Sequence, residues 1–96
     1  MFVLITYDVM ISSARGAKRL RQVARICMDY GTRVQHSVFE CVVTEAQLEV
    51  IKQKILSVIQ DTQDSVRLYV LGNHWQGKVV VLGKDNGTDV TGELIV

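Results

Sequence analysis

Residues 32–43 read TRVQHSVFECVV, and the division of this stretch decides the fold. It is rich in β-branched and aromatic strand formers but alternates poorly, and its twelve residues are long for one strand, where about five or six are usual. We divide it into two short strands meeting in a tight turn near His36-Ser37. Both neighbours of this hairpin are helical. Upstream, Ala17, Leu20, Val23, Ala24 and Cys27 recur at helical spacing over 14–30, with Ser12 or Ser13 able to cap the start and Gly31 in place to end it. Downstream, Thr44 and Gln47 form a capping box. Leu48, Ile51, Ile55, Val58 and Ile59 then make the buried stripe of a second helix ending near Asp61.

Farther out, residues 2–8, FVLITYD, are apolar almost throughout, as suits a strand in the middle of a sheet. Residues 65–71, SVRLYVL, alternate Val66, Leu68 and Val70 against Arg67 and Tyr69, the period of a strand. GNHWQG then turns the chain into a fifth strand over 78–82, GKDNGTD is a loop, and the chain closes on apolar ELIV, residues 93–96. The order is β-α-β-β-α-β with an extra C-terminal strand. It predicts an α+β, ferredoxin-like domain over 1–82, two helices on one face of an antiparallel sheet, followed by a loop and edge-strand tail over 83–96. The second sheet face is left bare, and a two-fold homodimer is the commonest way to cover such a face.

With 96 residues, 48% of them hydrophobic and 22% charged, the chain has one core and is not disordered. Its net charge is +1, yet residues 9–28 hold five basic side chains and no acidic one, so the remainder carries −4. Local basicity of that kind points to a polyanionic partner better than the total does. Cys27 and Cys41 have no zinc-site spacing and read as reduced core thiols. FVLI begins the chain where a signal peptide would carry charge, and no apolar run nears the roughly 20 residues that span a bilayer, so a cytoplasmic protein without a membrane partner is expected.

Asp8 ends the first strand as a lone carboxylate beside this basic run. It either caps the following turn or pairs with an arginine, or it binds Mg²⁺, which accepts one or two carboxylates, keeps several waters and takes phosphate oxygens as further ligands. One aspartate per chain is thin for a metal, but a two-fold axis near the first strand supplies two. On a helical wheel the apolar set centres near Leu20 and Cys27, with Arg15, Lys18, Arg19 and Arg25 on the opposite side, which makes a nucleic-acid-binding face. Arg33 joins them if the second strand lies beside the helix end. His36 and His74 read as surface or hydrogen-bonding residues; Phe39 and Trp75 are candidates to stack on bases, with packing in the core or a dimer contact as the alternative for Phe39. Nucleophile elbow, P-loop and G-x-G-x-x-G are all absent.

With those residues in view, the chain resembles the CRISPR-associated protein two family of spacer acquisition. VLITYDV with its strand-end Asp8, GTRVQHSVFEC at 31–41, DSVRLYVLG at 64–72 and the terminal DVTGELIV occur in the family's order and spacing across essentially the whole chain. SSARGAKRLRQVAR and the short ELIV end look most like its type I-C subgroup. The resemblance implies a ferredoxin-like homodimer and a Mg²⁺-dependent endonuclease acting on single-stranded RNA or duplex DNA. In it Asp8 is the metal-binding and catalytic residue, and Tyr7, Arg15, Arg33, Ser37 and Phe39 lie in its nucleic-acid neighbourhood. It also implies a complex with CRISPR-associated protein one, the integrase, in which this dimer bridges two integrase dimers and supports the incoming DNA. Leu94, Ile95 and Val96 are expected to pack across the dimer or against the integrase. A small ferredoxin-like regulatory or ligand-binding domain is the competing reading; it predicts an acidic or neutral first helix, and this one is basic.

Overall fold

The computed structural model describes residues 1–9, 14–60, 62–74, 77 and 80–83. Its elements are β1 (Phe2–Val9), α1 (Ala14–Met28), β2 (Gly31–Gln35), β3 (Val38–Val42), α2 (Glu45–Leu56) and β4 (Asp64–Gly72). The twelve-residue stretch is indeed a hairpin, turning at His36-Ser37. The sheet runs β2-β3-β1-β4 with every neighbouring pair antiparallel, which is the ferredoxin-like order.

β1 is central, and that explains its apolar composition. Val3, Ile5 and Tyr7 face the helices, where they meet Phe39 and Cys41 of β3, Val23, Ala24 and Cys27 of α1, and Leu48, Ile51 and Ile55 of α2. Leu4 and Thr6, on the other face, are only half-buried in the single chain, and Asp8 is exposed. The capping box of α2 is present in both directions. Gln47 N donates to Thr44 Oγ1 at 3.1 Å, and Thr44 N donates to Gln47 Oε1 at 2.9 Å.

Three local expectations are corrected. α2 stops at Leu56 rather than near Asp61. The Ser57 hydroxyl donates to the Lys54 carbonyl at 2.6 Å, and the chain turns so that Asp64 N reaches Gln60 O at 2.7 Å. Val58 and Ile59 still pack on the core, from the connection and not from the helix, so their apolar spacing extends the pattern but not the element. Gly31 does not cap α1, because it opens β2 and has no positive φ. A Cβ there would collide with the Glu40 carbonyl and lie 2.7 Å from Cys41 Sγ, so glycine is required by the close approach of β2 to β3. Of the fifth strand, residues 80–82 lie outside the sheet, with Val80 and Leu82 exposed, while 78 and 79 fall outside the described residues. So do Ser12, Ser13, Trp75 and the tail with Leu94, Ile95 and Val96. No described helix is long and apolar enough to cross a membrane.

Candidate nucleic-acid site at the end of the central strand

Because side chains alternate along a strand, the residues of β1 and its neighbours divide between two faces. Asp8 belongs to the face without helices. Ser65 of β4 stands directly across from it, and Arg67 pairs with Thr6 one step along. The β2–β3 turn closes the same end, since Tyr7 N donates to the Ser37 carbonyl at 2.9 Å. Between these groups lies an open cavity of about 330 Å³ lined by Thr6, Tyr7, Asp8, Ser37, Ser65, Arg67 and Tyr69. The Tyr7 side chain is in the core, so this strand presents Thr6 and Asp8 to the cavity. Arg67 Nη1 donates to the Tyr69 hydroxyl at 3.4 Å. Among the described residues, neither Asp8 nor Arg67 makes an ion pair.

Tyr7 and Phe39 do not reach this face. Phe39 is in the core, which settles its two readings in favour of packing. Tyr7 is 3% exposed, and its hydroxyl is buried with no hydrogen-bond partner among the described residues. Burial, reinforced by the Asp64 carboxylate, pushes its pKa up to about 12, so the phenol holds its proton at neutral pH. Arg33 also lies on the helix side. It is half-buried, donates through Nε to the His36 carbonyl at 2.9 Å and sits 5.4 Å over the Phe39 ring. That cation–π contact seals the edge of the core.

On α1, Arg15, Lys18 and Arg25 are exposed as expected. Arg19 is not. It is 8% exposed and belongs to the buried stripe Gly16, Arg19, Val23, Ala24 and Cys27. Its guanidinium grips Asp64 through Nε–Oδ2 at 2.7 Å and Nη2–Oδ1 at 3.3 Å, and gives a further bond to Gln63 Oε1 at 3.1 Å. Arg15 and Arg19 line a second cleft of about 280 Å³ with Gln60 and Gln63. Cys27 and Cys41 are buried free thiols whose pKa values burial pushes up to about 12 and about 11.

The site thus joins three of the expected residues, Asp8, Ser37 and Tyr7, the last with its side chain turned to the core, to four residues not singled out from the sequence: Thr6, Ser65, Arg67 and Tyr69. Alternation along 65–71 already separated Arg67 and Tyr69 from the apolar set, but nothing local told that β4 would lie beside β1. No cluster of three His, Cys, Asp or Glu able to hold a metal occurs among the described residues. The donor set present is a solvent-open carboxylate in a cavity lined by hydroxyl-bearing residues. This fits Mg²⁺, which needs one or two carboxylates and keeps much of its water.

The family described as CRISPR associated protein Cas2 matches residues 1–79. The chain is 50% identical over 95 residues to a CRISPR-associated endonuclease Cas2 of Halalkalibacterium halodurans, covering 99% of both chains. It is 46% identical over 96 residues to a CRISPR-associated endoribonuclease Cas2 of Nitratidesulfovibrio vulgaris, covering 100% of this chain and 94% of that one. The crystal structure of Streptococcus pyogenes Cas2 at pH 6.5 superposes with a TM-score of 0.78 at 52% identity, over 86% of this chain and all of the other. With the four-stranded sheet and two helices arranged as described, these likenesses show that the chain belongs to the CRISPR-associated Cas2 family.

Proposed function

We propose that this chain is a CRISPR adaptation protein that works as a homodimer on nucleic acid and hydrolyses phosphodiester bonds at Asp8. The observation that carries the reading is the exposed Asp8 carboxylate, without an ion pair among the described residues, in an open polar cavity beside an arginine. Support comes also from relatives whose names describe an endonuclease and an endoribonuclease.

Asp8 would hold Mg²⁺, with Ser37 and Ser65 lining the same cavity. Such an ion acidifies a coordinated water and offsets charge on a phosphodiester. Asp8 would orient that centre, and a sugar–phosphate chain would enter the open cavity from solvent. The Tyr7 phenol is no base for this step, since it retains its proton to about pH 12 and lies in the core. A second Asp8, from a partner copy, would complete the set of carboxylates.

Bridging of integrase dimers on duplex DNA is the companion role, supported by the exposed Arg15, Lys18 and Arg25, which share α1 with no acidic residue. Cleavage of RNA and duplex DNA by highly purified protein, with and without Mg²⁺, tests the nuclease reading. Asp8→Asn should abolish Mg²⁺-dependent cleavage while leaving stability unchanged, because an exposed side chain loses only its charge. Equal cleavage by the variant would remove Asp8 from the chemistry.

A further inference from the structure

Arg67 stands apart from every basic residue of α1, because it shares a cavity with Asp8. The β1–β4 register sets Ser65 opposite Asp8, and Arg67, two residues on, points to the same face. Such diagonal neighbours on adjacent antiparallel strands lie about 7–8 Å apart, within reach of a long side chain. Asp8 and Arg67 nonetheless form no ion pair with each other. The guanidinium leans instead on Tyr69, and this bond, its one hydrogen bond among the described residues, uses one of its five donors. Thr6, Ser37 and Ser65 line the same cavity.

We propose that Arg67, steadied by the Tyr69 hydroxyl, is the phosphate-holding residue of this cavity, binding a non-bridging oxygen of the sugar–phosphate chain opposite Asp8. The chemistry favours this oxyanion. Guanidinium forks match phosphate oxygens bidentately. Mg²⁺ on one or two carboxylates takes phosphate oxygens as further ligands, so a phosphodiester can engage both Arg67 and a cation held by Asp8. The idea rests on the Asp8 reading for its catalytic meaning, but phosphate binding by Arg67 can be measured without cleavage.

The test is fluorescence anisotropy of a short labelled single-stranded RNA in EDTA, from about 50 to about 200 mM salt. Wild type, Arg67→Gln, Arg67→Lys, Tyr69→Phe and Asp8→Asn are compared, with thermal unfolding of each. Arg67→Gln should weaken binding about tenfold, as expected when one charge-assisted hydrogen bond is removed, and flatten the log–log salt slope by about 0.7 per arginine. Arg67→Lys should keep the wild-type slope at reduced affinity, and Tyr69→Phe should fall between. Asp8→Asn should bind more tightly without metal, since a charge repelling phosphate is gone. Wild-type affinity and slope in a folded Arg67→Gln overturn the proposal. Mg²⁺-dependent cleavage that survives Asp8→Asn overturns the nuclease reading instead, and leaves phosphate binding by Arg67 to be judged by the slope.

Discussion

Arg19 of α1 and Asp64 of β4 form a two-point ion pair, Nε–Oδ2 at 2.7 Å and Nη2–Oδ1 at 3.3 Å, although 45 residues separate them. The Asp64 side chain has no exposure at all, and its Oδ2 also accepts from Gln60 N at 2.8 Å. The pair therefore ties the helix, the α2–β4 connection and the start of β4 into one unit, next to the strand position that faces Asp8.

Removing one member leaves the other charged and buried. Arg19→Ala or Asp64→Ala should each cost about 3–5 kcal/mol, read by urea denaturation, and the double variant should cost much less than their sum. Arg15→Ala, on the exposed side of the same helix, should change stability by less than about 0.5 kcal/mol. Equal effects at positions 15 and 19 would contradict the burial of the ion pair.

The basic face must accordingly be tested without Arg19. Reversing Arg15, Lys18 and Arg25 to glutamate should weaken duplex binding with the fold retained, since all three are exposed. For every phosphate that the protein no longer neutralises, the log–log salt slope should flatten by about 0.9. A triple variant with the wild-type slope would place the duplex elsewhere.

Alkaline pH should destabilise the protein through its core. Burial raises Cys27 from 9.0 to about 12, Cys41 from 9.0 to about 11, and Tyr7 from 10.0 to about 12. Since the folded values lie above the unfolded ones, the folded state holds protons that the unfolded chain releases. Their contribution is complete below pH 9.0 and is lost as pH rises toward about 12. Denaturation midpoints should be flat from neutrality to pH 9.0 and fall above it, and Cys27→Ala/Cys41→Ala should show a shallower fall. A thiol reagent should label wild type only as fast as it unfolds, since both sulfurs are inaccessible.

The terminal ELIV carries a prediction from sequence alone. Apolar residues after a polar, glycine-containing loop tend to join an open sheet edge, and β2 and β4 are the edges of the sheet among the described residues. Truncation after Asp89 should lower dimer stability or association with the integrase, both measured by sedimentation, while helical circular dichroism is kept. Unchanged dimerisation and unchanged association together would leave Leu94, Ile95 and Val96 without that role.

The order of elements was legible because its signals are local. Thr44 and Gln47 cap α2 with bonds three residues long, and the strand formers of 32–43 can only break at a turn. Asp8 was legible too, as a carboxylate ending an apolar run. Local signals also misled, because they say what a segment is and not what covers it. Val58 and Ile59 continue the helical spacing of α2 but pack from a turn, and Gly31 sits where a helix cap belongs yet is needed where β2 closes on β3.

Everything about partnership waited for the tertiary structure. Tyr7 and Asp8 are neighbours in sequence, but the two-residue period of a strand sends one to the core and the other to solvent. Arg19 reads like its exposed neighbours until Asp64 closes on it from 45 residues away, and Arg67 reads only as a strand residue set apart from the apolar set until β4 lies beside β1 and brings it into the cavity of Asp8. Spacing along the chain determines which side chains share a face; only the packing of distant segments determines which charges meet.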